Sequence, residues 1–233
     1  PKLARFGDAI YQNGALYERV TALAARVEAG EVALDPPASY WLECRLRDFV
    51  RAGVGLPEAE QARLRELNAT LAELQSSFGR RALAGSNAAA VLVTDETELA
   101  GVSQASKAGA RAAAEARGLT GWLLELDSCT PQEVLAEVAD RQLRQRVHEA
   151  SVGRGWQGEY DTRDLAVAIA RARAERATLL GYPSHSEYVA ADACAKTSEA
   201  VHAMLNRLAP PAVRNAKAEA ADLQSLQSEP LQA

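Results

Sequence analysis

Three histidines, three cysteines and 31 carboxylates are the side chains from which this sequence could assemble a reactive centre. His148-Glu149 opens the pattern H-E-x-x-H, in which two histidines one helical turn apart hold a zinc ion and the glutamate activates water. Position 152 carries Val152, so the second ligand is missing, and His185 and His202 fall on separate segments. Surface or cap-proximal places are expected for the histidines. Gly153-Arg154-Gly155-Trp156-Gln157-Gly158 has the letters G-x-G-x-x-G, which in a dinucleotide site bring backbone close to a pyrophosphate. That use needs a strand before the glycines and a helix opening within them. Here a charged helical stretch, 141–150, comes first, so an interhelical loop with Trp156 as its apolar anchor is expected.

Nucleophile patterns are equally incomplete. No G-x-S-x-G elbow occurs, and Cys44, Cys129 and Cys194 are odd in number, far apart and in no C-x-x-C pair. Neither a disulfide framework nor a cysteine zinc site is indicated, and a reducing compartment is the natural setting. Most carboxylates sit in mixed-charge runs such as Arg171-Ala172-Arg173-Ala174-Glu175-Arg176, which read as a solvated face or an interface. The residues therefore yield no catalytic, cofactor-binding or metal-ligating set.

The elements that would position any such group are mostly helical. The chain holds 49 alanines among 233 residues, and alanine has the highest intrinsic helix propensity. Leu16, Val20, Leu23 and Val27 recur at helical spacing, and Asp35-Pro36-Pro37 then breaks the pattern. A helix over about 39–52 follows, with Trp41, Leu42, Leu46, Phe49 and Val50 expected inward. After Pro57, Leu64, Leu67, Leu71, Leu74 and Phe78 mark a long amphipathic helix whose seam suits packing within one domain. Val91-Leu92-Val93-Thr94 and Trp122-Leu123-Leu124-Glu125-Leu126 read as short strands on either side of a helix over 103–117, and their relative direction stays open.

Thr130-Pro131-Gln132-Glu133 forms a capping-box start, with a possible break near Asp140 and an end at Gly153. A helix over 162–180 stops at Gly181-Tyr182-Pro183. Ser184 with Glu187 repeats the capping spacing, and Thr197 caps a last helix that Pro210-Pro211 interrupts or kinks. The tail, 213–227, is poor in large apolar groups, which hints at truncation. The fold class expected is mainly α: a multi-helix array with a small two-stranded β element. Residues 1–233 form one helical region with approximate sub-parts 1–87 (helical), 88–128 (mixed α/β) and 129–233 (helical).

With 26 basic against 31 acidic residues the net charge is −5 and its signs are interspersed. No basic stripe exists to displace phosphate counterions, so nucleic acid is not an expected partner. No run approaches the roughly 18 apolar residues of a membrane helix, and no membrane partner is expected.

Several runs carry more information in their order than they do singly. Leu46-Arg47-Asp48-Phe49 with Gly53 reads L-R-D-F-x-x-x-G. Leu67-Asn68-Ala69-Thr70-Leu71 leads to Phe78-Gly79, and Asp95-Glu96 leads to Leu99 and Gly101-Val102. Arg117-Gly118-Leu119 precedes Trp122, and Asp140-Arg141-Gln142-Leu143-Arg144 follows. Arg173-Ala174-Glu175-Arg176 runs to Leu179-Leu180-Gly181-Tyr182, ahead of Ala195-Lys196-Thr197. Together they resemble the thimet-oligopeptidase family of zinc metallopeptidases, most closely its bacterial branch of peptidyl-dipeptidase Dcp and oligopeptidase A. Gln142 stands where an acidic residue is usual, and Ser151-Val152 where an aromatic commonly sits.

The resemblance implies the N-terminal portion of a larger, cytoplasmic helical peptidase that hydrolyses short peptides in a deep channel. It implies zinc in the parent protein, held by an H-E-x-x-H helix and a later glutamate that lie downstream of this chain. No zinc is then expected on residues 1–233, which would be inactive alone and form channel wall. The alternative is a free-standing helical protein-interaction module without metal or catalysis.

Overall fold

The computed structural model describes residues 2–126, 130–156 and 158–226. It is mainly α, as the sequence indicates, with ten α-helices and one two-stranded sheet among the described residues. The chain divides into two compact units, 1–172 and 173–233.

In the first unit, α1 (Lys2–Tyr11) is a helix the sequence reading did not anticipate. It buries no residue of its own and is attached through polar groups and the Tyr11 ring. Asn68 donates to the Asp8 carboxylate at 2.8 Å, Arg65 donates to Gln12 Oε1 at 2.9 Å, and Arg45 donates to the Tyr11 hydroxyl at 2.7 Å. Next come α2 (Gly14–Glu28), capped by Asn13, and α3 (Pro36–Arg51), capped by Asp35. The prolines that break the pattern occupy the first turn of α3, where a missing N–H costs nothing, so the helix starts three residues earlier than expected.

Leu42 and Phe49, two turns apart, are buried on α3, with Tyr11 and Tyr17 packed edgewise or tilted on the Phe49 ring. Trp41 and Val50 are not inward as expected: they are 62% and 59% exposed. Each lies one residue, about 100° of helix, off the Leu42–Phe49 face. The long α4 (Glu58–Ala88) buries Leu64, Leu67 and Leu71, the first three members of the predicted seam.

A hydrophobic core cluster follows. β1 (Val91–Val93) pairs antiparallel with β2 (Trp122–Leu124), Val91 opposite Leu124 and Val93 opposite Trp122. Between them a 3-10 turn (Glu96–Leu99) leads into α5 (Gln104–Ala116), which packs on β2. Beyond them lie α6 (Thr130–Glu137) and α7 (Arg141–Val152). One core joins these pieces, including Val93, Leu99, Leu124, Val138, Leu143 and Val147. The side chains of the predicted capping box at Thr130 and Glu133 lie outside the described residues, as does Cys129.

Two glycines permit close backbone approaches here. Gly101 (φ +95°) faces the Glu137 carbonyl and Gly121 (φ +120°) faces the Val93 carbonyl, each too near to admit a Cβ. The break near Asp140 is real. Its carboxylate accepts from Leu143 N at 2.6 Å to cap α7, while Arg144 donates to the carbonyls of Val138 and Ala139 just past the end of α6. α8 (Arg163–Leu179) starts in the first unit.

The second unit takes the end of α8, then α9 (His185–Ala190) and α10 (Ser198–Ser225). α8 stops as predicted, with Tyr182 N donating to Ala177 O at 2.9 Å around Gly181 (φ +79°). Ser184 caps α9 by accepting from Glu187 N, and the Glu187 carboxylate accepts from Ser198 N, where α10 begins. Thr197 caps α10, which runs through Pro210 and Pro211 without interruption.

Between α9 and α10, Lys196 holds a left-handed φ of 62°. A side chain there costs about 1–2 kcal/mol, against roughly 0.5–1 kcal/mol of extra chain entropy for glycine. Lys196→Gly is expected to stabilise the protein by about 0.5–1 kcal/mol, read as a higher midpoint in urea unfolding followed by circular dichroism.

Candidate functional site

The chemistry-bearing residues are dispersed. His148 and Glu149 point outward from α7, where Gln145 donates to the Glu149 carboxylate at 2.8 Å, and Val152 is 60% exposed. His202 is exposed on α10. Among the described residues, no group of three or more His, Cys, Asp or Glu side chains is placed to hold a metal ion. Cys44 Sγ accepts from Arg47 at 3.4 Å and Cys194 is exposed.

His185 has the most distinctive surroundings. It opens α9, its ring stacked on Tyr188 with centroids 6.2 Å apart, and its buried Nδ1 has no hydrogen-bond partner. Burial, then the charges of Arg173 and Arg176, hold its pKa below the ordinary 6.5. The unfolded chain therefore takes up this proton more readily than the folded one. Stability is expected to decline as pH falls below about 6.5 toward the folded-state value, with no contribution from this group at higher pH. Arg173→Gln should move the His185 titration upward, as followed by proton NMR of the ring.

The glycine loop sits at the wrong end of a helix for phosphate. Gly153 follows the C-terminus of α7, where partial negative charge accumulates, and α8 does not open until Arg163. Gln157 lies outside the described residues. Trp156 is not a buried anchor but 60% exposed, with the Arg163 guanidinium 5.8 Å from its ring centroid. The loop is closed by backbone instead, through Thr162 N donating to Gly155 O at 3.0 Å. Arg154 turns back to donate to Ser151 O and Leu126 O, so it serves the ends of α7 and β2.

Concave surface is found under α5. A cleft of about 200 Å³ opens between α5, β2 and α6, floored by Leu99, Val102, Leu123 and Val134. Lys107 stands in its wall with a side chain only 14% exposed and is paired to Glu96 at 3.3 Å. Glu125, also in the wall, is paired with Arg117 at 2.5 Å, and Glu137 accepts from Ser103 N at 3.3 Å. This arrangement joins an apolar floor to charged walls; it contains no nucleophile and base in contact. Reasoning on motifs missed it because Leu99 and Val102 belong to one run and Leu123 to another, and nothing in the sequence brings them to one place.

The residues that carry the family resemblance are largely the joints of the fold: Asp95 and Asp140 as caps, Leu99 and Leu143 as core, Gly101 at a close approach, Arg144 on carbonyls, Lys196 in the left-handed turn. Comparison with known proteins agrees. Residues 134–233 match the profile of peptidase family M3. The chain is 36% identical over 227 residues to the dipeptidyl carboxypeptidase of Escherichia coli K12, covering 97% of this chain and 33% of that protein. It is 32% identical over 185 residues to oligopeptidase A of the same organism, covering 77% of this chain and 27% of the relative. Oligopeptidase A of Haemophilus influenzae is 29% identical over 214 residues, 90% of this chain and 31% of the relative. The chain is thus a homologue of the M3 peptidases and spans about a third of the length of these relatives.

Proposed function

We propose that residues 1–233 are the N-terminal portion of a zinc-dependent oligopeptidase or peptidyl-dipeptidase, cytoplasmic and acting on short peptides in a deep channel. The chain forms one helical region of that enzyme and contributes channel wall. The observation that carries the reading is the alignment with a dipeptidyl carboxypeptidase along 97% of this chain but 33% of the relative. Met204, Leu205, Leu208, Val213 and Leu223 add support, being 47–56% exposed on α10, a helix with no buried residue. Apolar groups gathered on one exposed helix suit a surface that further polypeptide covers.

The described residues do not fit a zinc site, since no cluster of ligands is present among them. The metal's ligands are assigned to other parts of the polypeptide, and no residue of 1–233 is given a chemical step. A net charge of −5 with no basic stripe gives no electrostatic footing for nucleic acid. No helix of the described residues is long and apolar enough to cross a membrane.

The purified chain is expected neither to retain stoichiometric zinc after dialysis nor to cleave short fluorogenic peptides. Chelator-sensitive cleavage by pure material would overturn the assignment of these residues as wall. Reading the coding sequence past Ala233 tests the parent enzyme: an H-E-x-x-H helix supports it, and a stop codon shortly afterwards favours the interaction module.

A further inference from the structure

We propose that the cleft beneath α5 binds a small zwitterion, an aliphatic amino acid or dipeptide whose ammonium and carboxylate are both free. The floor is apolar, formed by Leu99, Val102, Leu123 and Val134, and suits an aliphatic side chain. The walls carry two opposite charges that do not pair with each other. Lys107, 14% exposed, has three N–H donors and a single partner, the carboxylate of Glu96, itself 57% exposed. Glu137 accepts one long bond, from Ser103 N at 3.3 Å, and no cation pairs with it among the described residues. The third charge in the wall, Glu125, is already matched by Arg117.

A ligand bearing the inverse pair satisfies both groups, carboxylate on Lys107 and ammonium on Glu137. A ligand with one charge leaves the other wall group unmatched, which costs affinity, more at the half-buried Lys107 than at the exposed Glu137. The volume of about 200 Å³ falls below the roughly 300–1,000 Å³ of sites for drug-sized molecules, which restricts the occupant to something the size of one or two residues. The inference rests on the cleft alone and is independent of the peptidase reading, although cleavage near a peptide's end releases zwitterions of this class.

The test is titration of the ¹⁵N-labelled 233-residue chain with leucine and with alanyl-leucine, following backbone amide shifts by NMR. N-acetyl-leucine, which lacks the ammonium, and leucinamide, which lacks the carboxylate, serve as the blocked arms. Saturable shifts confined to α5, β2 and α6 are expected with leucine, alanyl-leucine or both, and which of them binds identifies the ligand's length. Each blocked analogue should bind at least tenfold more weakly. Lys107→Gln should weaken the zwitterion at least tenfold while leaving leucinamide binding nearly unchanged, and Ala110→Leu should fill the cleft and abolish the shifts. Absence of saturable shifts with both zwitterions, shifts that map elsewhere, or blocked analogues binding equally well would overturn the proposal. The analogue arms use the unaltered chain, so they decide the matter even if a variant misfolds.

Discussion

Gly121→Ala is expected to destabilise the first unit by about 3 kcal/mol or more, from two additive causes. The first is conformational: at φ +120° the backbone lies where side chains are rarely found, a cost of about 1–3 kcal/mol. The second is steric. The new Cβ would press into the Val93 carbonyl oxygen, a backbone atom that cannot rotate aside. Val93 is fully buried and pairs with Trp122, the next residue, so relief requires separating the two strands at the edge of the core. Overpacking of this kind costs a further 1–3 kcal/mol or so. A loss of this size is a large share of the roughly 5–15 kcal/mol that hold a domain folded. Urea unfolding monitored by tryptophan fluorescence and circular dichroism measures it. A shift under about 1 kcal/mol would show that the close approach relaxes without parting the strands.

Leu143→Ala should cost a comparable amount, about 2–5 kcal/mol. Leu143 is fully buried in the core where α7 meets the sheet and α6, and deleting its branched end leaves both lost contact and a cavity. Its backbone N–H is also the one that the Asp140 carboxylate caps. Asp140→Ala therefore probes the same joint by its polar side alone, and about 1 kcal/mol is the usual cost of a lost cap. Val152→Ala on the same helix, 60% exposed, should be near neutral. The three variants rank burial against capping on one element by their urea midpoints. Leu143 and Gly121 act on one packed body, so a double variant is not expected to lose the simple sum.

Legibility differed between kinds of element. Long periodic helices and their caps were read well: α4 with its seam, the break at Asp140, the stop at Gly181 and the caps Ser184 and Thr197 all depend on neighbours within a few residues. α1 escaped because its attachment is made by Asp8, Tyr11 and Gln12, whose partners lie 34 to 60 residues away. The resemblance was legible for a related reason: the joints just described lie in short local runs, and the order of those runs carries more than any single motif.

The candidate cleft was not legible at all. Lys107, Glu137 and Leu123 come from three elements, and their charges and apolar groups converge only after α5 settles on β2.

By itself the sequence determined the helical class and most boundaries, because propensity, capping and periodicity are local and are written in adjacent residues; the likeness to M3 peptidases rested instead on short runs kept in order. Only the tertiary structure decided that the strands run antiparallel, that Trp41, Val50 and Trp156 stay exposed, and that Lys107 and Glu137 line one cleft. These outcomes depend on which faces of distant segments compete for the same buried space, and that competition is resolved only when the whole unit packs.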